Sequence, residues 1–373
     1  MPDGGHLTLP EGFNVSIFAD QLQNPRWMAL APNGDVFLAE SAAGKITVLR
    51  DSNHDGVAEI KETFAADLNR PFGLAFWKNY LYIGNNDAVV RFIYRPGQMK
   101  ADSPPEKIVD LPPSDGAYDQ DTADRLHVEL SLTRGYNHWT RTVVFNPAGT
   151  KMYVSAGSRT NSTPEQDERR AAINEYNPDG TGHRVFAGGL RNAVGLAFQP
   201  GTNTLWATVN ERDQLGDDLP PEYMTSIKDG GFYGWPYSYI GKNVDPTVKP
   251  PRPELVAKAI VPDILLTAHS APLGIMFYTG TQFPPEYGGS AFVAFHGSIN
   301  RSKLAGYSVM RVPFRNGKPS GPPENFLTGF IVRDDDEKQA WGRPVGLLQA
   351  PDGSMLLADD AGRRVWRISY GKK

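Results

Sequence analysis

The sequence predicts an all-β chain, a six-bladed β-propeller of four-stranded antiparallel blades, and three observations predict it. Glycine and proline, 38 and 31 of 373 residues, punctuate short runs heavy in Val, Ile, Phe, Tyr and Trp, the composition of strands joined by turns. One phrase, an apolar strand, a Pro/Gly turn and a second apolar strand, returns six times. Between the copies there is no regular helix of the kind a parallel α/β fold requires.

The copies occupy 24–39, 70–83, 139–154, 192–209, 271–295 and 343–358. Their turns read APNGD, FNPAGT, FQPGTNT or APDGS, and their second strands VFLAE, MYVSA, LWATV or MLLAD, so each copy is a β-hairpin. They recur at roughly 45 to 80 residues, too long and irregular for a solenoid and suited to four-stranded blades carrying inserted loops. One domain over 1–373 is expected. The segments 96–137 and 210–268 are its inserted loops, on one face, where propellers keep function. Only 163–173 (TPEQDERRAAI) has a helical pattern, with Thr163 as N-cap and Pro164 at N1.

Composition narrows the function classes. A net charge of −4, with Lys and Arg spread along the chain, gives no footprint for nucleic acid. No window approaches the ~18 apolar residues of a membrane helix, so no membrane span is expected. The absence of cysteine removes disulfides, thiolate zinc sites and cysteine nucleophiles. The opening MPDGGHLTLPEGF has neither the basic nor the apolar region of a secretory signal.

In a propeller the innermost strand of each blade lines the channel, so the residues just before it converge at one end of the axis. Across the copies these are Asn24, Arg70, His138 with Trp139, Arg191 with Asn192, His269 with Ser270, and Arg343. Burying such groups without partners costs about 1 to 3 kcal/mol each, more for charges, so the repeated arginine implies an anionic occupant. Water and inter-blade carboxylates are the alternative occupants. His138 has the near-neutral imidazole of a general base; packing against Trp139 is its structural alternative. Arg191 with Asn192 suits a carboxylate or a developing oxyanion. His296 ends a later strand of the fifth blade. No Gly-x-Ser-x-Gly elbow or HExxH motif appears.

Two acidic segments are metal candidates. DSNHDGVAEIKE matches the calcium-loop template, with Asp51, Asn53, Asp55, the Val57 carbonyl, Glu59 and Glu62 as ligands. Its flanks read as strands, however, and Asp/Asn/Gly clusters are also plain hairpin chemistry. NERDQLGDDLPPEYM, from Asn210, follows the fourth copy and should overhang the channel, either holding calcium or lying as a solvated loop.

Together LPEGFNVSIFA, NHWTRTVVF, GLRNAVGLAF, KDGGFYGWPY, FYTGTQFPPEYGGSAFVAFHGS and WGRPVGL resemble the soluble quinoprotein sugar dehydrogenases, most closely the aldose and L-sorbosone dehydrogenase branch. The resemblance covers nearly the whole chain. It implies a propeller binding pyrroloquinoline quinone (PQQ), a planar tricarboxylate, with Ca2+ at the channel mouth, and a sugar, aldehyde or secondary alcohol as substrate. By the same resemblance His138 is the general base and Arg191 polarises the quinone oxygen. Arg70, Asn192, Arg343 and His296 or Arg301 are cofactor contacts, and calcium sits on the main-chain carbonyls of about Glu211, Arg212 and Asp213. A periplasmic or secreted location is implied too. Without a CxxCH haem site, electrons leave to an external acceptor. Two positions depart from the family: Ser158 stands where glucose-oxidising members carry an acid that orients the histidine, and the calcium loop reads NERDQLGDD. A calcium-dependent lactonase would need convergent carboxylates, which the predicted axial ring lacks. A propeller that only binds a glycan or protein would have its channel filled by arginine–carboxylate pairs or water.

Overall fold

The computed structural model describes residues 5–114, 138–298, 300–334 and 339–371. They form a six-bladed propeller of antiparallel four-stranded sheets, the third blade extended by a fifth, parallel strand. The first strands of the blades are Pro25–Leu30, Leu74–Trp77, Val143–Phe145, Asn192–Phe198, Pro272–Phe277 and Pro344–Gln349. Each packs against the next, and the sixth meets the first. The six copies in the sequence are the two inner strands of the six blades.

The glycine repeated in RPFGLAF, NAVGLAF, APLGIMF and RPVGLLQ has a packing reason. A Cβ on Gly73, Gly195, Gly274 or Gly346 would lie 2.4, 2.5, 2.2 or 2.5 Å from a carbonyl oxygen of the neighbouring inner strand or, for Gly73, of Arg141 just before it. Only glycine lets the strands close the ring at that distance. Four of these strands also carry a register shift near their start, at Pro25/Met28, Ala193/Leu196, Pro272/Gly274 and Pro344/Leu347. Such bulges re-aim the side chains beside them. Here they bend the entry of the strand, where the candidate residues stand.

Between blades the core is aromatic. Phe37 meets Phe64, Phe76 and Tyr94 edge to face at 5.1, 5.1 and 5.3 Å, pairs worth about 0.5–1.5 kcal/mol each beyond their burial. The ring is closed by the N-terminal strand Phe13–Ala19, which pairs antiparallel with Arg364–Tyr370 as the outermost strand of the sixth blade. Among the described residues no helix is long and apolar enough to cross a membrane.

The helix expected over 163–173 does not form. The segment is a series of bends and one turn, and 172 onward belongs to the strand Ala172–Tyr176. Side-chain bonding wins over local propensity: Glu165 accepts the Arg159 N–H at 2.5 Å, and the buried Arg170 reaches inward to main-chain carbonyls. Of the expected loop 96–137, residues 115–137 lie outside the described residues. The expected loops are partly blade: Glu106–Asp110 is the outer strand of the second blade, and Glu222–Ser226 and Ile264–Leu266 are the third and fourth strands of the fourth. The inserted part of 210–268 therefore lies between strands and reaches the third blade, where Gly231–Phe232 pairs with Arg184–Gly188.

Candidate active site

A cavity of about 950 Å³ opens among the blade entries, and Asn24, Arg70, His138, Trp139, Arg191, Asn192, His269 and Arg343 all line it. Asn24, Arg70, His138 and His269 reach it with φ of 57, 51, 38 and 59°. This left-handed backbone is unfavourable for any residue with a Cβ and concentrates at functional sites. His296, Glu211 and Asp213 also line the cavity. Arg301 does not: its guanidinium bonds to the Asp217 carbonyl and to Asp218 at 3.0 Å. Arg212 does not either, because it forms a buried ion pair with Asp245.

His138 is held on one side only. Its Nδ1 lies 2.7 Å from the Ser158 carbonyl oxygen and 3.0 Å from Ser158 Oγ. A carbonyl can only accept, and Oγ gives its own proton to the Thr160 carbonyl at 2.6 Å. Nδ1 therefore carries the proton, and Nε2 keeps the lone pair a base needs. Enclosure in the cavity wall, with Arg191 nearby, pushes the imidazole pKa down to about 3, so the ring is neutral at physiological pH. Gly157 makes room for it, since a Cβ there would sit 2.6 Å from His138 Cβ.

Arg191, 5 % exposed, is tied down by the expected Glu211 and Asp213 and by Asn161, which the sequence did not single out. Asn161 accepts from its Nε at 3.1 Å through the carbonyl and from Nη2 at 2.9 Å through Oδ1. The Glu211 carbonyl accepts from Nη1 at 2.5 Å, and Asp213 lies 3.3 Å from Nη2. Trp235, from the insertion, donates to the Asn161 carbonyl at 2.9 Å and braces the group from behind. Beside it the buried Glu222 accepts the Glu211 N–H at 2.5 Å. Burial raises Glu211 and Glu222 to about 7 and about 8. Burial also opposes ionisation of Asp213, but His269 and Arg191 outweigh it and hold this carboxyl well below its usual range.

Across the cavity Arg26 and Asp360 form a buried ion pair, and His296 Nε2 lies 3.0 and 3.1 Å from the two Asp360 oxygens. Arg343 donates to the carbonyls of His296 and Gly297 at 3.0 and 2.7 Å. Arg26 and Arg70 also stand over the Trp139 ring, at 5.3 and 4.4 Å. Arg26, Asp360, Asn161 and Glu222 were absent from the expected set, and the expectation that convergent carboxylates are lacking around the axis is corrected. Glu211, Asp213, Glu222 and Asp360 all line the cavity: Glu211, Asp213 and Asp360 follow the second strands of their blades and Glu222 opens a third strand, so none stands at a blade entry.

The DSNHDG loop lies elsewhere, as the turn between strands Lys45–Arg50 and Ile60–Ala65. Asp51, Asp55 and Glu59 bring one oxygen each within 4.8 Å of one another. Glu62 falls outside that group, because it sits in the second strand opposite Val48. The Asp51, Asn53 and Asp55 oxygens accept main-chain N–H groups of 55–57 at 2.9–3.2 Å, and none of these residues lines the cavity.

Four guanidiniums, of Arg26, Arg70, Arg191 and Arg343, face two firmly ionised carboxylates, Asp213 and Asp360, so the cavity favours an anion. Buried atoms in its wall have no protein partner among the described residues: Arg26 Nε, Thr140 Oγ1, Asn192 Oδ1 and Glu211 Oε1. A planar polyanion with a cation beside the acids would meet both features, so the residues present fit the cofactor pair implied by the resemblance.

Comparison with known proteins agrees. An uncharacterised protein of Borreliella burgdorferi is 31% identical over 98% of this chain and 91% of its own length. A pyrroloquinoline quinone-dependent pyranose dehydrogenase of Coprinopsis cinerea is 23% identical over 97% of this chain, which spans about half (54%) of that enzyme. The calcium structure of a Trichoderma reesei enzyme of carbohydrate-active family AA12 shares the fold, with a TM-score of 0.79 at 20% identity over 99% of this chain and 98% of that one. Residues 7–220 and 255–371 match the TrAA12-like family model, and the chain belongs to that family.

Proposed function

We propose that this chain is a PQQ-dependent dehydrogenase that oxidises a CH–OH group of a sugar, with His138 as general base. The tautomer of His138 is the observation that carries the reading: Nδ1–H is fixed on Ser158, and the Nε2 lone pair belongs to a ring that lines an arginine-rich cavity. When bound, PQQ supplies a two-electron acceptor for hydride. Arg26, Arg70 and Arg343 would hold its carboxylates and Asn192 would assist. Arg191, fixed by Asn161 and Glu211, directs positive charge toward an oxygen that gains negative charge. His138 Nε2 takes the hydroxyl proton of the substrate as its carbon gives up hydride.

Ca2+ fits the acidic side through side chains. The Glu211 carbonyl already accepts from Arg191, and the Asp213 carbonyl accepts from Asn161 and Arg212 at 3.1 and 3.0 Å. The carboxylates of Asp213 and Glu211, the latter with Oε1 unpartnered, are the groups that would hold the ion. A sugar is the substrate class that the relatives' names support; aldehydes and secondary alcohols belong in the same screen. Electrons then pass to an external acceptor, and a periplasmic or secreted setting suits that exchange.

The four cavity acids do not favour a lactonase. Asp360 is committed to Arg26 and His296, and Glu222 accepts the Glu211 N–H, which leaves Asp213 and Glu211 beside a cation rather than the larger convergent set a lactonase needs. The open volume argues against a channel sealed by ion pairs.

The test is titration of the purified protein with PQQ, with and without Ca2+, read by cofactor absorbance and melting temperature. Calcium-assisted binding lost in Arg191→Ala and Arg343→Ala, followed by sugar-dependent dye reduction, is the expected result. No binding and no thermal shift would overturn the reading.

A further inference from the structure

Arg141 is fully buried at 0 % exposed, and Arg170, at 6 %, lies close behind it. An enclosed guanidinium loses its hydration and needs strong acceptors. Arg141 finds them in the main chain: Nη1 donates to the carbonyls of His138 and Thr140 at 2.7 and 2.8 Å, and Nη2 to that of Pro112 at 2.7 Å. Arg170 Nη2 donates to the same Pro112 carbonyl at 3.3 Å and to Pro113, while its Nη1 reaches the Gly157 carbonyl at 3.2 Å. The Pro112–Pro113 backbone is thus the shared anchor of two guanidiniums. One grips His138, the other the residue before Ser158.

Those are the two pieces of backbone whose separation sets the Nδ1–H contact. His138 has a φ of 38°, which its own side chain disfavours, and the Arg141 bond to its carbonyl opposes relaxation. Ser158 is fixed from its other side as well, its N–H donating to the Arg191 carbonyl at 2.7 Å. Strand pairing adds nothing at His138, which precedes Val143–Phe145.

We infer that Arg141 and Arg170 form a guanidinium clamp that positions His138 against Ser158, so that Nδ1 keeps its proton and Nε2 stays in line with substrate. They touch neither substrate nor cofactor and are positioning residues. The inference rests on His138 being the base, but the clamp itself can be read without turnover.

In the protein labelled with 15N-histidine and free of cofactor, His138 should give the signature of a neutral Nδ1–H ring, and Arg141→Met should convert it to a mixture of tautomers. In the PQQ-loaded enzyme, Arg141→Met and Arg170→Lys should lower kcat about 10²-fold with sugar KM and PQQ affinity within about threefold, the size expected of a misplacement near 1 Å. If Arg141→Met does not fold, Arg141→Lys, which keeps the charge and loses the fork, is read in its place. In a His138→Ala background the same substitutions should lower kcat no further. A tautomer unchanged in the folded variants, or an equal further loss in the His138→Ala background, would overturn the clamp. An absence of any turnover by the wild type, with the tautomer responding as described, would overturn the dehydrogenase reading and leave the clamp standing.

Discussion

The two histidine sides of the cavity use opposite chemistry. His138 leans on an uncharged serine and a carbonyl, whereas His296 leans on a carboxylate that also pairs with Arg26. Both rings are kept neutral: burial, with Arg191 nearby, pushes His138 to about 3, and burial outweighs Asp360 to bring His296 to about 4. The difference is what each side does with charge. On the His296 side an ion pair is completed within the protein and Nε2 is spent on it, which suits a fixed wall. The His138 side has no carboxylate on its imidazole, so Nε2 is free to act and the positive field of Arg191 is left for a ligand.

The largest effect should separate the two histidines. His138→Ala should lower kcat by about 10²–10⁴-fold with PQQ affinity nearly intact, while His296→Ala should act mainly on cofactor affinity; steady-state kinetics and a PQQ titration read both. Next, Asp360→Ala strands Arg26 in a buried wall and should destabilise the fold by about 3–5 kcal/mol in chemical denaturation, a cost that replacing the uncharged Ser158 behind His138 does not carry. Ser158→Asp would make the two sides alike. With a carboxylate behind Nδ1, the acidic limb of the kcat/KM profile should move up by about one to three pH units, and an unmoved limb would mean that the side chain at 158 does not address the ring.

The smallest effect concerns the acids flanking Arg191. Glu211 and Glu222 stay protonated in the folded chain up to about 7 and about 8, whereas in the unfolded chain they ionise near 4.5, so each withdraws stability as pH rises between those values. His138 and His296, lowered from 6.5, add stability with rising pH only up to 6.5. His269, raised by Asp213, loses its contribution above 6.5. The melting temperature should therefore fall between pH 6.5 and 8, and Glu222→Gln should flatten part of that fall.

The blade entries were legible because they recur: six hairpins fix six strand starts, and strand starts fix which residues face the axis. Arg26 escaped because the bulge at Pro25/Met28 turns a residue inside the strand toward the cavity, a local kink with no periodic signature. Asp360 stood in the sequence as the second Asp of LLADD, one residue past the strand Met355–Asp359, and nothing marked that end as near the same mouth until the sheet was assembled. Asn161 comes from a segment outside the hairpins, where spacing carries no information, and Glu222 opens the fourth blade's third strand within a stretch expected at the channel without this residue being singled out. The stretch 163–173 read as a helix because propensity is local, whereas Arg170 within it is drawn to the distant carbonyls of Gly157 and Pro113.

The strand Phe13–Ala19 closing the sixth blade gives the molecule an order of assembly in time. Phe13–Ala19 is translated before every other strand of its blade and waits for Arg364–Tyr370 before that blade has its outer edge, and Arg343 and Asp360 belong to the same blade. A nascent chain holding five complete blades still lacks part of the cavity wall. Ligand capture accordingly waits for the sixth blade, and a chain cut before Arg343 would lose the pocket while keeping most of its sheets.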